Sequence, residues 1–260
     1  MGQTPTTTII IPSRNQRHTT LQCLQCIRQY TTSPLEIIVV DNGSTDGTAE
    51  ALASLPEVRL IRNDHNRGFA AAVNQGIRSA NGTHIVLLNN DTLPSHRWLA
   101  NLLTVLRSDA RIGLVGPLSN RVIPEQKVRI RFPTAEAMHA FCRKFHRRSD
   151  PAKWRNSPRL SGFCLAFQAG LVERIGLLDE RFGVGTYEDD DYCYRARLSG
   201  YRCVIAGDTY VHHLGSRTFR KRGREEFQKI LAQNRRYFTA KWGIAPEVAA
   251  RGTLYNIIPK

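Results

Sequence analysis

The chain has 260 residues, 41% of them hydrophobic, and a formal net charge of +15. That length supports one well-formed core, and no run approaches the roughly 20 apolar residues needed to cross a bilayer. The N-terminus passes from MGQTPTTT straight into an apolar run, so no secretory leader is expected, and Met1, Gly2 and Thr6 match only the short N-myristoylation pattern.

In chain order, residues 6–12 (TTTIIIP) predict a strand from their β-branched run, and residues 15–30 a helix. LEIIVVD (35–41) reads as a strand buried on both faces, because it lacks alternation, as at the centre of a parallel sheet. NGSTDG is a turn, and Ser44 or Asp46 can cap a short helix ending near Leu55. VRLIRN (58–63) is a third strand, residues 69–79 an alanine-rich helix, and THIVLLNND (83–91) a fourth strand with a polar end. Ser95 is expected to cap a helix over 96–108, before the strand-like IGLVGP (112–117). Repeated β-α units predict a doubly wound, mostly parallel α/β sheet.

The second half is less regular. Residues 119–158 show few apolar periods and much basic charge, whereas 160–176 return to a strand and a helix. A helix to Ser199, a strand over 201–207 (YRCVIAG), adjacent His212 and His213, and a last helix over 225–238 follow. That helix carries Phe227, Ile230, Leu231 and Phe238 on one stripe, which packing on the domain would explain. Cys23 and Cys26 form a CxxC within the first helix, but no second CxxC completes a zinc site. All six cysteines read as small core residues of a reducing compartment.

Basic charge is clustered at Arg143, Lys144, Arg147, Arg148, Lys153, Arg155 and Arg159, and again at Arg217, Arg220, Lys221, Arg222 and Arg224. Each cluster is either a solvated face or the footprint of an anionic partner. Against this background GTYEDDDYCYRAR (185–197) sets four acids side by side, Glu188, Asp189, Asp190 and Asp191. Acids are favoured in the first turn of a helix. Crowded carboxylates also hold their protons more tightly, as a general base requires.

Ligands of open α/β sheets sit beyond the C-terminal strand ends. Those ends here are Ser13, Asp41, residues 63–68, and Asn89, Asn90 and Asp91. No GxGxxG follows the first strand and no GxxxxGK[ST] occurs, which argues against a dinucleotide site and excludes a P-loop. Phosphates would therefore be held by a divalent ion on Asp91, since a hard cation bridges diphosphates with one or two protein carboxylates.

The ordered set IIIPSRN, IIVVDNGSTDGT, NRGFAAAVNQGI, LLNNDT, SGF, YEDDDYCYRARLSGYR and HHLGSRTF resembles family-2 glycosyltransferases of the GT-A fold, over about residues 7–219. It is similar to bacterial surface-polysaccharide enzymes of the rhamnosyltransferase-like branch. The resemblance implies a Rossmann-like sheet in a single domain. Residues 1–117 would form the nucleotide-sugar half, 118–219 the acceptor and catalytic half, and 220–260 a helical extension. Pro12, Ser13, Asn15, Asp41, Asn66, Gly68, Asn74, Asn89 and Asn90 are then expected at the nucleotide. Asp41 would accept N3–H of a uracil or thymine ring. Asn89, Asn90 and Asp91 stand at the family's DxD position, with Asn89 in place of the first Asp, and Asp91 and His212 are expected at Mn2+ or Mg2+, with His213 the rival. Glu188 and Asp189 open the Glu-Asp-x-Asp motif. Asp189 is the expected base of an inverting transfer from a UDP- or dTDP-sugar, and Asp191 is structural through Arg195 four residues on. The implied partners are a nucleotide-sugar and a glycan or polyprenyl-linked acceptor. The implied place is the cytoplasm, with peripheral contact at the anionic inner face of the cell membrane. A basic nucleic-acid-binding protein and an inactive sugar-nucleotide-binding module are the competing readings. No nucleic-acid-binding motif supports the first, and Asp91 with Asp189 argues against the second.

Overall fold

The structure, a computed structural model, describes residues 7–215 and 223–251. Met1, Gly2 and Thr6, with the cluster members Arg217, Arg220, Lys221 and Arg222, lie outside the described residues.

β1 (Thr7–Ser13), β2 (Leu35–Asn42), β3 (Val58–Asn63) and β4 (His84–Leu88) are parallel, and α1 (Arg17–Tyr30), α2 (Thr48–Ala53) and α3 (Phe69–Ser79) connect them. After β4 come the two-residue β5 (Thr92–Leu93), α4 (Trp98–Arg107) and β6 (Ile112–Leu118). The second half supplies α5 (Ala135–Phe145), β7 (Trp154–Ser157), β8 (Cys164–Gln168), α6 (Leu171–Ile175), α7 (Glu188–Leu198), β9 (Arg202–Tyr210) and β10 (His212–His213). α8 (Arg224–Trp242) and α9 (Pro246–Ala249) follow. One eight-stranded sheet runs β3-β2-β1-β4-β8-β6-β9-β7, and β5 pairs with β10 in a separate ribbon. β8 lies antiparallel to both β4 and β6, and β7 antiparallel to β9.

The strand residues alternate between two cores. Ile9 and Ile11 of β1 and Val86 of β4 face α1 and α4, where Trp98 and Leu102 are fully buried. Ile10, Ile85 and Leu87 face the other way, onto Val73 and Ile77 of α3 and Tyr192 and Cys193 of α7. Both faces of the sheet are thus covered, which explains the unbroken apolar runs.

Three local expectations change. α4 begins at Trp98 after a left-handed Arg97, and Ser95 meets it through its carbonyl, which accepts the Trp98 N–H at 3.1 Å. The Ser95 side chain instead bonds His139 Nδ1 at 2.8 Å. α2 starts at Thr48 after a left-handed Gly47; of the two expected caps Asp46 serves, its Oδ1 accepting the Thr48 N–H at 3.1 Å, whereas Ser44 bonds Asp41. The segment 119–158 contains α5 and the edge strand β7, although α5 buries only Met138 and Cys142 and so gave little periodic signal. The α8 stripe packs as expected at Phe238, which is fully buried against Phe182 and Tyr194. All six cysteines are free and buried.

Asp191 ties α7 to α8. Its side chain is completely buried. It accepts Arg195 Nε at 2.9 Å, Lys241 Nζ at 2.6 Å and Trp242 Nε1 at 2.9 Å. Removing Asp191 leaves the largely buried Arg195 without its counter-charge and the Trp242 N–H without an acceptor, while Lys241 keeps only Asp179. Asp191→Ala should therefore lower unfolding free energy by about 3–5 kcal/mol, measured as a fall in the urea midpoint. An unchanged midpoint would mean that these contacts do not hold the α7–α8 interface.

Candidate active site

A cavity of about 410 Å³ opens at the C-terminal ends of β1 and β4, within the roughly 300–1,000 Å³ of small-molecule sites. Pro12 and Ser13 line it from β1, Asn66 from the turn before α3, and Asn89, Asn90 and Asp91 from the end of β4. Glu188 and Asp189 reach it from the first turn of α7. The Asn90 amide donates to Thr20 Oγ1 at 2.9 Å and Ser13 Oγ at 3.3 Å, which locks the β4 end onto β1.

Asn15, Asp41, Gly68 and Asn74 lie outside the lining and build the walls behind it. Asp41 is 2% exposed and stands opposite Ser13 in the β1–β2 register. Its carboxylate takes the Ser44 hydroxyl and, at 3.2 Å, the Ser44 N–H. Asn15 closes this corner, donating its N–H to Ser44 Oγ at 2.7 Å and accepting the Thr45 N–H at 2.8 Å. Gly68 has φ of 94°, and a Cβ there would collide with the carbonyl of Gly183, so the turn before α3 and the loop before α7 touch only because residue 68 is glycine. The expectation that Asn74 lines the nucleotide pocket is not met. Asn74 is buried on α3, and its side chain exchanges hydrogen bonds with Leu178 at 2.8 and 3.0 Å.

Several lining residues carried no assigned role in the sequence. Asn42, next to Asp41, donates to Asn66 Oδ1 at 2.9 Å and Gly68 O at 3.0 Å, and so shapes the turn. Arg14 lines the cavity with its Nε buried and unpartnered. Ser161, Gly162 and Phe163 line it from the loop before β8. Their signal was present as the SGF piece of the motif set and the Arg of PSRN, but nothing in either stretch specified a contact.

The expectation for the histidine moves from His212 to His213. Neighbours on a strand point to opposite sides, so only one of the pair can face Asp91. In the β5–β10 ribbon His213 stands opposite Thr92, and its Nε2 lies 3.1 Å from Asp91 Oδ1. His212 bonds the Tyr210 hydroxyl at 2.8 Å, and burial pushes its pKa down to about 4. The His213 ring stacks on Phe163 at 5.3 Å, and its Nδ1 donates to Arg121 O at 2.7 Å. With Nδ1 given to that carbonyl, Nε2 is the ring atom turned to Asp91. Side by side, this nitrogen and the Asp91 carboxylate are ligand types that a divalent cation would take, with its remaining ligands from phosphate and water. No cluster of three or more metal-ligating side chains occurs among the described residues, so the protein would supply few of the ligands.

The four acids diverge. Asp191 turns inward to its cations, and Asp190 meets Arg159 at 3.4 Å. Asp189 Oδ2 accepts the Gly162 N–H at 2.8 Å and its Oδ1 the Asp190 N–H at 2.9 Å, which fixes the carboxylate in the cavity wall. Glu188 is 6% exposed, and its Oε2 has no partner. Burial pushes three of the acids up: Glu188 well above the usual range, with the Asp189 charge adding to it, Asp189 upward, and Asp190 to about 7. A carboxyl whose folded pKa is raised contributes stability that is full below its unfolded pKa and is lost as pH rises through the folded value. Glu188→Gln removes one charge of this cluster. It should raise the melting temperature at pH 8 relative to the parent, with a gain that shrinks toward pH 5, each kcal/mol appearing as about 2–4 °C in a chain of this size. Melting curves at the two pH values check this, and a gain larger at pH 5 would contradict it.

Glycosyltransferase AglE of Haloferax volcanii is 31% identical over 118 residues, covering 43% of this chain and 38% of that protein. The chondroitin synthase of Escherichia coli is 25% identical over 267 residues, covering 90% of this chain and 39% of that protein. The chain thus spans about two-fifths of the length of these curated relatives. A mannosyltransferase of Pyrobaculum calidifontis, solved in complex with GDP-Man and Mn2+, superposes with a TM-score of 0.62 at 24% identity, over 82% of this chain and 58% of its own. That likeness shows the fold, a GT-A arrangement of the sheet and its helices. The family described as Glycosyl transferase family 2 matches residues 8–176, from β1 through α6 and so across the strand ends that line the cavity, and the chain belongs to that family.

Proposed function

We propose that the protein is an inverting glycosyltransferase that moves a sugar from a UDP- or dTDP-sugar to a hydroxyl of a glycan or polyprenyl-linked acceptor. The observation that carries this reading is the shared cavity: a polar strand-end layer with Asp91 and His213, and a fixed carboxylate with raised proton affinity, Asp189, in the same wall. The Mn2+ and sugar nucleotide of the mannosyltransferase neighbour support the same division of labour, with GDP-sugars as the alternative donor. The rhamnosyltransferase-like branch belongs to this proposal as well.

Asp189, oriented by the Gly162 N–H, takes the proton of the acceptor hydroxyl. That oxygen forms its bond to the anomeric carbon from the face opposite the diphosphate. The bond from carbon to diphosphate oxygen breaks, its electron pair leaves with the nucleotide, and the configuration inverts. A divalent cation on Asp91 and His213 would neutralise the charge that develops on the leaving diphosphate. Burial raises the proton affinity of Asp189 against the opposing Gly162 and Asp190 N–H bonds, and the Asp189 charge in turn adds to the rise of Glu188. Asp41 stands behind the wall with its carboxylate engaged by Ser44, so the choice of uracil or thymine rests on the family resemblance and the donor screen.

Two variants separate the roles. Asp91→Ala should abolish transfer and remove the metal dependence of UDP binding by calorimetry. Asp189→Asn should lower turnover about a hundredfold or more while UDP affinity stays unchanged. In the parent, kcat/KM should fall on the acid side at a pH above the ordinary carboxylate range, because the base works only unprotonated. A screen of UDP-, dTDP- and GDP-sugars with Mn2+ and Mg2+ supplies the substrate. Unchanged metal dependence in Asp91→Ala, or near-normal turnover in Asp189→Asn, would sink the assignment of that residue.

Arg143, Lys144, Arg147, Arg148 and Arg155 are exposed, on α5, the turn after it and β7. Arg159 is half-buried and engaged by Glu125 at 3.0 Å and by Asp190, so it belongs to the site's frame and not to that face. The exposed residues suit an anionic surface at about 1 kcal/mol per basic residue near it, weakening with salt. Among the described residues no helix is long and apolar enough to cross a membrane. Co-sedimentation with phosphatidylserine-containing vesicles should be strong at low salt and lost at high salt. Failure to sediment at low salt would leave the basic face merely solvated, and retention on DNA at moderate salt would favour the nucleic-acid reading.

A further inference from the structure

The backbone just before the carboxylates is held in conformations that its residues do not choose. Thr186 and Tyr187 have φ of 82° and 69°, next to Gly183 at 63° and Gly185 at 129°. Two consecutive non-glycine residues in the left-handed region persist only where the surroundings over-determine them. The following residue is Glu188, the first of α7, and then Asp189. The direction of Asp189 therefore depends on what holds this turn.

Asn234 of α8 does so. It is 4% exposed. The two N–H groups of its side-chain amide are shared among four acceptors, the carbonyls of Phe182 at 2.8 Å, Gly185 at 2.9 Å and Thr186 at 3.1 Å, and Thr186 Oγ1 at 3.1 Å. The surrounding cluster is apolar, with Phe182, Tyr194 and Phe238. A buried amide in such a place is costly unless it is bonded, and the bonds it makes here go to a single loop. That loop lines the cavity through Val184, Gly185 and Thr186, and the Gly183 carbonyl accepts the Phe69 N–H at 3.2 Å from the donor side. α7, α8 and this contact lie beyond the residues 8–176 that the family matches.

We propose that Asn234 is a positioning residue for the transfer reaction, and that its amide fixes the left-handed turn at residues 183–187 so that Asp189 faces the acceptor hydroxyl. The proposal rests on the reading of Asp189 as the base. Asn234 touches neither substrate, and its effect should fall on the chemical step rather than on the donor.

The test compares the full chain with Asn234→Ala, Thr186→Gly and the double variant carrying both. Asn234→Ala should lower kcat about tenfold or more with the nucleotide-sugar found in the screen, while the UDP dissociation constant, measured with Mn2+, stays within about twofold of the parent; a factor of ten corresponds to about 1.4 kcal/mol in the barrier. Amide hydrogen exchange should speed up over residues 183–189 and remain slow in β1, β2 and β4. Glycine adopts the φ of residue 186 without steric cost, so the double variant should recover part of the lost turnover. If Asn234→Ala does not fold, the double variant compared with Thr186→Gly alone carries the same comparison. A folded Asn234→Ala with parental kcat overturns the proposal. So does a loss of UDP affinity in step with turnover, or faster exchange spread through the sheet, because either marks a general structural defect. Should the parent transfer no sugar at all, the functional reading fails separately, and the exchange pattern still decides whether Asn234 holds this turn.

Discussion

β4 runs antiparallel to β8, from His84 opposite Gln168 to Leu88 opposite Cys164, and the Asn89 N–H extends the ladder to the Phe163 carbonyl at 2.8 Å. This reversal in an otherwise largely parallel sheet makes the site. It sets the residues just after β4, Asn89 to Asp91, beside those just before β8, Ser161 to Phe163. From there the Gly162 N–H holds Asp189 and the Phe163 ring holds His213. A slip of one residue would turn every side chain of β8 to the other face. Leu165 and Phe167 would then leave one core and Cys164 and Ala166 the other, so burial on both faces enforces the register.

The second constraint is charge. A chain of net charge +15 places four acids in one helical turn, and helix geometry disperses them. Successive residues project about 100° apart, so Asp191 reaches the interior and its two cations, Asp190 reaches Arg159, and only Glu188 and Asp189 reach the cavity. The first helical turn, the two backbone N–H bonds to Asp189 and the surrounding cations make the crowding tolerable. What remains is a pair of carboxylates whose protons are held more tightly than in water, which is the condition for a base near neutral pH.

α8 braces α7 and the loop before it. Lys241 and Trp242 bond Asp191, Tyr237 and Lys241 bond Asp179 at 2.8 and 2.7 Å, and Asn234 holds the loop between Asp179 and α7. Asn74 grips the start of the same stretch from α3. The loop bearing the strained turn is thus clamped from both sides, by α3 and by α8.

The sequence by itself determined the doubly wound first half and the chemistry of the strand ends. Strands buried on both faces read as continuous apolar runs, and the polar residues that end them, Ser13, Asn89, Asn90 and Asp91, are local to those runs. It also determined the Asp191–Arg195 pair, because i,i+4 geometry is a property of any helix. Segment 119–158 was opaque because α5 buries only two residues and β7 is a polar edge strand held by β9. The choice of His213 over His212 was decided by tertiary structure alone. Adjacent histidines have the same composition and spacing, and only pairing with β5, some 120 residues earlier, determines which face turns to Asp91. The same holds for Asn234 and Asn74, ordinary polar residues on helices, whose bonds to the loop at 178–186 exist only once helices distant in sequence pack around it. Local pattern reports what a segment prefers, whereas contacts between segments far apart in the chain are set by packing, which the pattern does not encode.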